Sequence, residues 1–128
     1  MMIKKLAPVL IVDRIEPLLP LWDALGFQRT AEVPHGEGLG FVILARDGIE
    51  VMYQTRDSVR ADEPKVLEGA HPPGAAALFI EVDDVEAMAG ALPAGTDVVN
   101  ARRTTFYGST ETIFRDGAGN LITLAQMS

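Results

Sequence analysis

Val9-Leu10-Ile11-Val12-Asp13-Arg14-Ile15-Glu16 and Phe79-Ile80-Glu81-Val82-Asp83-Asp84-Val85-Glu86 are the two stretches on which the fold turns. Val12, Asp13 and Glu16 of the first recur as Val82, Asp83 and Glu86 of the second, and Ile15 recurs as Val85. In each, a short apolar run rich in β-branched residues predicts a strand. The Asp-x-x-Glu that follows predicts a helix start, with the aspartate capping free amides and the glutamate reaching back. The far ends of the two halves also match. Arg46-Asp47-Gly48 precedes Ile49-Glu50-Val51, and Arg115-Asp116-Gly117 precedes Leu121-Ile122-Thr123-Leu124 after a few more turn residues. An Asp-Gly junction between apolar runs signals a hairpin in both places.

Outward from these stretches the chain reads as strand, helix and three-stranded meander, written twice. In the first half a strand is expected at about residues 6–12, a helix at about 15–25 and strands near 28–33, 39–46 and 49–55. In the second, a strand is expected at about 75–82, a helix at about 84–92 stopped by Pro93, and strands near 97–101, 109–115 and 120–126. The modules then occupy about 1–56 and about 74–128, with a polar connector at about 57–73 holding Pro64, Gly69-Ala70-His71, Pro72 and Pro73. Pro17 and Pro20 fall inside the first helical pattern and predict a late or irregular helix start.

Composition bounds the rest. The 128 residues suit one domain, whose chain length buries roughly two thirds of the unfolded surface without a staple. There is no cysteine, so disulfides, thiolate metal sites and thiol nucleophiles are excluded. Acidic residues outnumber basic ones 18 to 11, a net charge of −7, which argues against a nucleic-acid partner. Lys4-Lys5 and the apolar run after them are ended by Asp13-Arg14, so no leader and no membrane span is expected, and a cytoplasmic location is the simplest reading.

Strand alternation separates two faces. Pro8, Leu10 and Val12 share one side of the first strand, and Ala7, Val9 and Ile11 the other. Ile49, Val51 and Tyr53 oppose Glu50, Met52 and Gln54, and Ala76, Leu78, Ile80 and Val82 oppose Ala77, Phe79 and Glu81. One face is apolar throughout, as helix packing requires. The other is mixed, which suggests a concave ligand-facing surface rather than a second core.

The repeated βαβββ unit resembles the vicinal oxygen chelate superfamily of glyoxalases, extradiol dioxygenases, fosfomycin resistance enzymes and bleomycin resistance proteins. The resemblance is carried by Ala7-Pro8-Val9-Leu10-Ile11-Val12, by Leu25-Gly26-Phe27 and by Phe114-Arg115-Asp116-Gly117-Ala118-Gly119-Asn120-Leu121. It implies an α+β fold in which two tandem modules form a curved mixed sheet around a concave cleft, and a homodimer. Metal-dependent members carry one ligand on the first and one on the last strand of each module. Here those positions are Ala7, Glu50, Ala77 and Thr123, of which Glu50 alone is a good ligand. No metal and no cofactor is therefore expected. His35 and His71 stand in turn-like segments and read as solvent-exposed loop residues.

Glu50 is then the informative residue. A carboxylate beside Val9, Met52, Ala77 and Phe79 either has an internal partner among Arg102, Arg103 and Arg115, is protonated, or waits for a cationic ligand. Phe106-Tyr107-Gly108, flanked by Thr104, Thr105, Ser109 and Thr110, borders the cavity in the resemblance, and is either a stacking surface or a plain hairpin rim. Trp22 and Phe27 read as core. The glycines of Gly36-Glu37-Gly38-Leu39-Gly40 lack a phosphate-loop lysine and read as a hairpin.

The expectation is a metal-free, bleomycin-resistance-like protein that sequesters a small cationic or aromatic molecule, with no nucleic-acid or membrane partner. Its ligand-binding residues are expected to be Val9, Glu50, Met52, Gln54, Phe79, Phe106, Tyr107 and Thr123, with none of them catalytic. Two alternatives remain: a metal-dependent lyase, isomerase or dioxygenase of the same superfamily, and a ligand-free scaffold.

Overall fold

The computed structural model describes residues 1–68 and 76–128, so His71 and Pro72-Pro73 of the expected connector lie outside the described residues. The first module runs β1 (Val9–Val12), a 3-10 turn (Glu16–Leu18), α1 (Leu19–Ala24), β2 (Gln28–His35), β3 (Gly38–Arg46) and β4 (Ile49–Thr55). After α2 (Arg56–Asp62) and a second 3-10 turn (Pro64–Glu68), the second runs β5 (Ala77–Glu81), α3 (Val85–Gly90), β6 (Asp97–Thr104), β7 (Ser109–Arg115) and β8 (Leu121–Met127). Each βαβββ module makes its own open mixed sheet, ordered β1-β4-β3-β2 and β5-β8-β7-β6, with the first strand parallel to the last. The fold is α+β and the tandem repeat is present in both halves. The curved sheet comes as two four-stranded parts not hydrogen-bonded to each other.

The apolar face of each sheet enters one shared core. Leu10, Val12, Val42, Leu44, Val51 and Tyr53 of the first sheet and Phe114, Ile122 and Leu124 of the second belong to a cluster with Leu18, Leu19, Leu21 and Trp22. Trp22 is fully buried and meets Phe27 edge to face at 4.9 Å, as expected of core aromatics. The opposite face of each sheet carries the mixed residues.

The helix starts differ from the expected capping boxes. Pro17 and Pro20 push the first helix late: a 3-10 turn precedes α1, and neither has a side-chain cap. Asp13 instead pairs with Arg56 at 3.3 Å, and Glu16 accepts the Leu39 backbone N–H at 2.6 Å. In the second half the cap is Asp84, not Asp83, accepting from the Ala87 N–H at 3.1 Å. That register turns Val85 inward, where it is 3% exposed, and leaves Glu86 to pair with Arg102.

The expected connector starts with a helix. The Thr55 hydroxyl at the end of β4 accepts the Ser58 N–H at 3.1 Å and caps α2, whose Val59 is buried. The polar composition of the segment hid this cap. Asp47-Gly48 is the tight turn expected, both residues having positive φ (53° and 79°). The second Asp-Gly is not. There the chain reverses over residues 116–120, Gly119 taking the positive φ of 90°, while Asp116 is buried.

Candidate functional site

The open face of the first sheet is set by register. Val9 lies beside Met52 and then Ile43, and Ile11 beside Gln54 and then Phe41. Glu50 pairs with Ala45 across β3 and β4. Val9, Glu50, Met52 and Gln54 therefore share this face, as the alternation required, and Val9 is 47% exposed. Gln54 donates to the Ser58 hydroxyl at 3.2 Å, which ties α2 to the strand.

Glu50 does have an internal partner, but not one of the arginines expected. Lys5, on the segment entering β1, forms its ion pair. Arg102 pairs with Glu86, Arg103 with Glu111 and Arg115 with Asp97. The reason is topological: all three arginines belong to the second sheet, whereas β1 runs parallel to the strand that carries Glu50. The Glu50 side chain keeps 25% of its exposure, so a competing cation has a path to it.

On the second sheet Phe79 lies beside Thr123, which lies beside Ile113. Phe79 is 57% exposed. The neighbour of Ala77 is Leu121 rather than Thr123. Both modules thus present an apolar floor dotted with polar side chains, on separate sheets. The four positions at which the resemblance would seat a metal offer two methyl groups, one hydroxyl and one carboxylate already engaged by Lys5. Such a donor set does not fit a divalent ion, which needs about three protein ligands.

A residue that the sequence reading missed dominates the second face. Glu111 of β7 is wholly buried, next to Arg103 on β6 and Ala125 on β8. Its Oε1 accepts from Arg103 Nε at 2.9 Å and Nη2 at 2.8 Å. Its Oε2 accepts from the Ser109 hydroxyl at 2.8 Å and from the Tyr107 hydroxyl. Burial alone raises a carboxyl pKa. The hydrogen bonds from Tyr107, Ser109 and Arg103, with the Arg103 charge, outweigh it and hold Glu111 below the ordinary carboxylate range. Glu111 is a saturated acceptor, neither a free base nor a metal ligand. Its signal was the alternation of Ser109, Glu111 and Ile113 on one side of β7, opposite a cross-strand arginine.

Tyr107 is therefore tied down, while Phe106, edge to face with it at 5.2 Å, is fully exposed on the β6–β7 turn. His35 ends β2 and borders a groove of about 410 Å³ with Asp13, Glu16, Glu37, Thr55 and Asp57. Among the described residues no three His, Asp or Glu side chains converge as a metal site. No helix among them is long and apolar enough to cross a membrane.

Solved structures share this architecture. A glyoxalase/bleomycin resistance protein/dioxygenase family enzyme from Burkholderia phytofirmans superposes with a TM-score of 0.75 at 14% identity, over 95% of this chain and 97% of that one. A virulence protein from Salmonella typhimurium gives 0.70 at 24% identity over 100% of both chains. TioX from Micromonospora sp. ML1 gives 0.74 at 19% identity over 98% and 99%. No curated protein matches the sequence. The family model for the Glyoxalase/Bleomycin resistance protein/Dioxygenase superfamily matches residues 7–124.

Proposed function

Because the chain belongs to the glyoxalase/bleomycin resistance protein/dioxygenase superfamily, we propose that it is a metal-free member that binds and sequesters a small aromatic or cationic molecule. The observation that carries this reading is the state of the four inherited ligand positions. Ala7, Ala77 and Thr123 offer no good ligand, and Glu50, the remaining one, is matched to Lys5.

Val9, Met52, Phe79 and Thr123 supply the walls for burial of a ligand. Glu50 supplies charge complementarity for a cation, which must displace the Lys5 ammonium to reach it. The unit that binds is a homodimer in which the open sheet faces of two copies close a cleft. This is supported by the exposed Val9 and Phe79 on faces that the chain's own core leaves uncovered.

The test is elemental analysis of protein purified without chelator, together with sedimentation. A metal-free dimer is expected. Stoichiometric zinc, iron, manganese or nickel would turn the reading into that of a metal-dependent enzyme, and a monomer at high concentration would remove the shared cleft.

A further inference from the structure

We propose that the second sheet carries an anion-recognition site, in which Arg103 receives the carboxylate of a small organic acid whose apolar body lies over Ile113 and Thr123. Its anchor is Arg103 rather than Glu50, and it shares Phe79 and Thr123 with the walls of the proposed cleft.

The guanidinium is planar, with five N–H groups in a fixed fork. Arg103 grips Glu111 Oε1 with Nε and Nη2, the side edge of that fork. The end edge, Nη1–H with the second Nη2–H, lies outside both bonds to Glu111, and the Tyr107 hydroxyl also acts on the guanidinium. That edge has the spacing that takes a carboxylate through two parallel hydrogen bonds. Glu111 is the one acidic residue paired with Arg103 among the described residues, and the Arg103 side chain is 45% exposed while Glu111 is 0% exposed. One partner is thus locked in the interior and the other half open to solvent.

The support around the pair is more than a surface ion pair needs. Ser109 and Tyr107 bring two further hydroxyls onto Glu111, and Thr105 bonds Ser109 in turn, its Oγ1 lying 2.7 Å from the Ser109 hydroxyl and accepting the Ser109 N–H at 3.1 Å. Burying an ion pair on a strand is seldom better for stability than an apolar pair of similar size. What the arrangement does provide is a cation held in one orientation, because its buried counter-ion has every acceptor position filled. Glu111 is a positioning residue and Arg103 the contact.

The ligand class follows from the neighbours. Ile113 follows Glu111 on the same side of β7, with Thr123 beside it and Phe79 beyond. Phe106, fully exposed next to Tyr107, borders the same hairpin. A flat acid with a ring or short chain behind its carboxylate matches a fixed cation next to an apolar floor. A compact, fully hydrated anion leaves that floor unused.

The experiment is a titration of the isotope-labelled protein with benzoate, benzamide and inorganic phosphate, followed by amide NMR shifts. Benzoate is expected to move the signals of Arg103, Ile113 and Thr123 and to bind about tenfold or more tightly than benzamide, the scale of one charge-assisted hydrogen bond. Arg103→Gln is expected to remove that preference and Arg102→Gln, whose partner is Glu86, to keep it. Arg103→Lys retains the charge but loses the fork, and is expected to weaken benzoate while preserving the ion pair. Should Arg103→Gln fail to fold, the benzoate–benzamide comparison on the unmodified protein decides alone. Equal binding of benzamide, tighter binding of phosphate, or no shifts with benzoate would each overturn the proposal.

Discussion

The Tyr53 hydroxyl donates to Asp116 Oδ2 over 2.8 Å and joins the closing strand of the first module to the β7–β8 turn of the second. The same hydroxyl accepts the Trp22 indole N–H at 2.9 Å. Asp116 also accepts the Ala118 and Asn120 backbone N–H groups at 2.9 and 2.7 Å and the Asn120 side-chain amide at 2.9 Å. The two sheets share no strand pairing, so this buried polar link fixes their packing more specifically than apolar contact does. Tyr53→Phe keeps the ring but leaves Trp22 without its acceptor and Asp116 short of one donor. A loss of about 1–3 kcal/mol in urea unfolding is expected. An unchanged midpoint would show that the link adds nothing.

Alkaline stability tests the same residue. Burial, and then the Asp116 charge and hydrogen bond, push the Tyr53 hydroxyl well above its ordinary value of 10.0. A pKa raised in the folded state gives stability that is complete below the unfolded value and declines as pH rises past it. The native protein is expected to lose stability above about pH 10, and Tyr53→Phe to lose less of its own over that range. Parallel pH curves for the two proteins would contradict the shift.

The acid side belongs to Glu111 and Glu16. Glu16 is held below the ordinary carboxylate range, chiefly by the Leu39 backbone N–H. Glu111 is held low because its hydrogen bonds outweigh burial. A lowered folded pKa gives stability that is present above the unfolded value and is lost as pH falls through the folded one. Thermal midpoints are expected to hold to the ordinary carboxylate range near pH 4.5 and to fall below it. The fall should be shallower in Glu111→Gln, which starts from a lower midpoint.

Lys5 and Glu50 separate binding from stability. Their ion pair is half exposed on the Lys5 side, and such pairs contribute about 0–1 kcal/mol. Glu50→Gln is expected to leave the thermal midpoint nearly unchanged and to weaken a cationic aromatic probe. Lys5→Ala is expected to strengthen the same probe by removing its competitor. If both variants bind like the parent in calorimetry, Glu50 is no charge anchor.

Gly40 is fixed by close approach rather than by turn geometry. A Cβ placed there would meet His35 Cβ at 2.5 Å and Ser58 Cβ at 3.1 Å, where α2 crosses β3 next to the β2 end. Gly40→Ala is expected to cost about 1–3 kcal/mol, as overpacking does. Gly36→Ala, where a Cβ meets nothing within 4 Å but φ is 64°, tests backbone strain alone.

The repeat, the succession of elements within each module and the division into two faces were legible because each depends on residues close together or two apart along the chain. Val9, Leu10 and Ile11 alternate whatever packs on them, and the Asp47-Gly48 turn requires positive φ locally. Helix starts were read less well. Asp-x-x-Glu was a fair local signal, but Pro17 and Pro20 delayed one helix, and burial of Val85 moved the other cap to Asp84.

What the amino-acid order determined by itself was the doubled βαβββ unit and its dry and mixed faces. Only the tertiary structure decided which side chains meet: Tyr53 with Asp116 across the modules, Glu50 with Lys5 within the first, and Glu111 with Arg103 and Tyr107 within the second. The physical reason is that periodicity sets the direction in which a side chain points. The charge that answers a buried carboxylate depends on which strands become neighbours, and that is settled when the sheets and helices pack around one core.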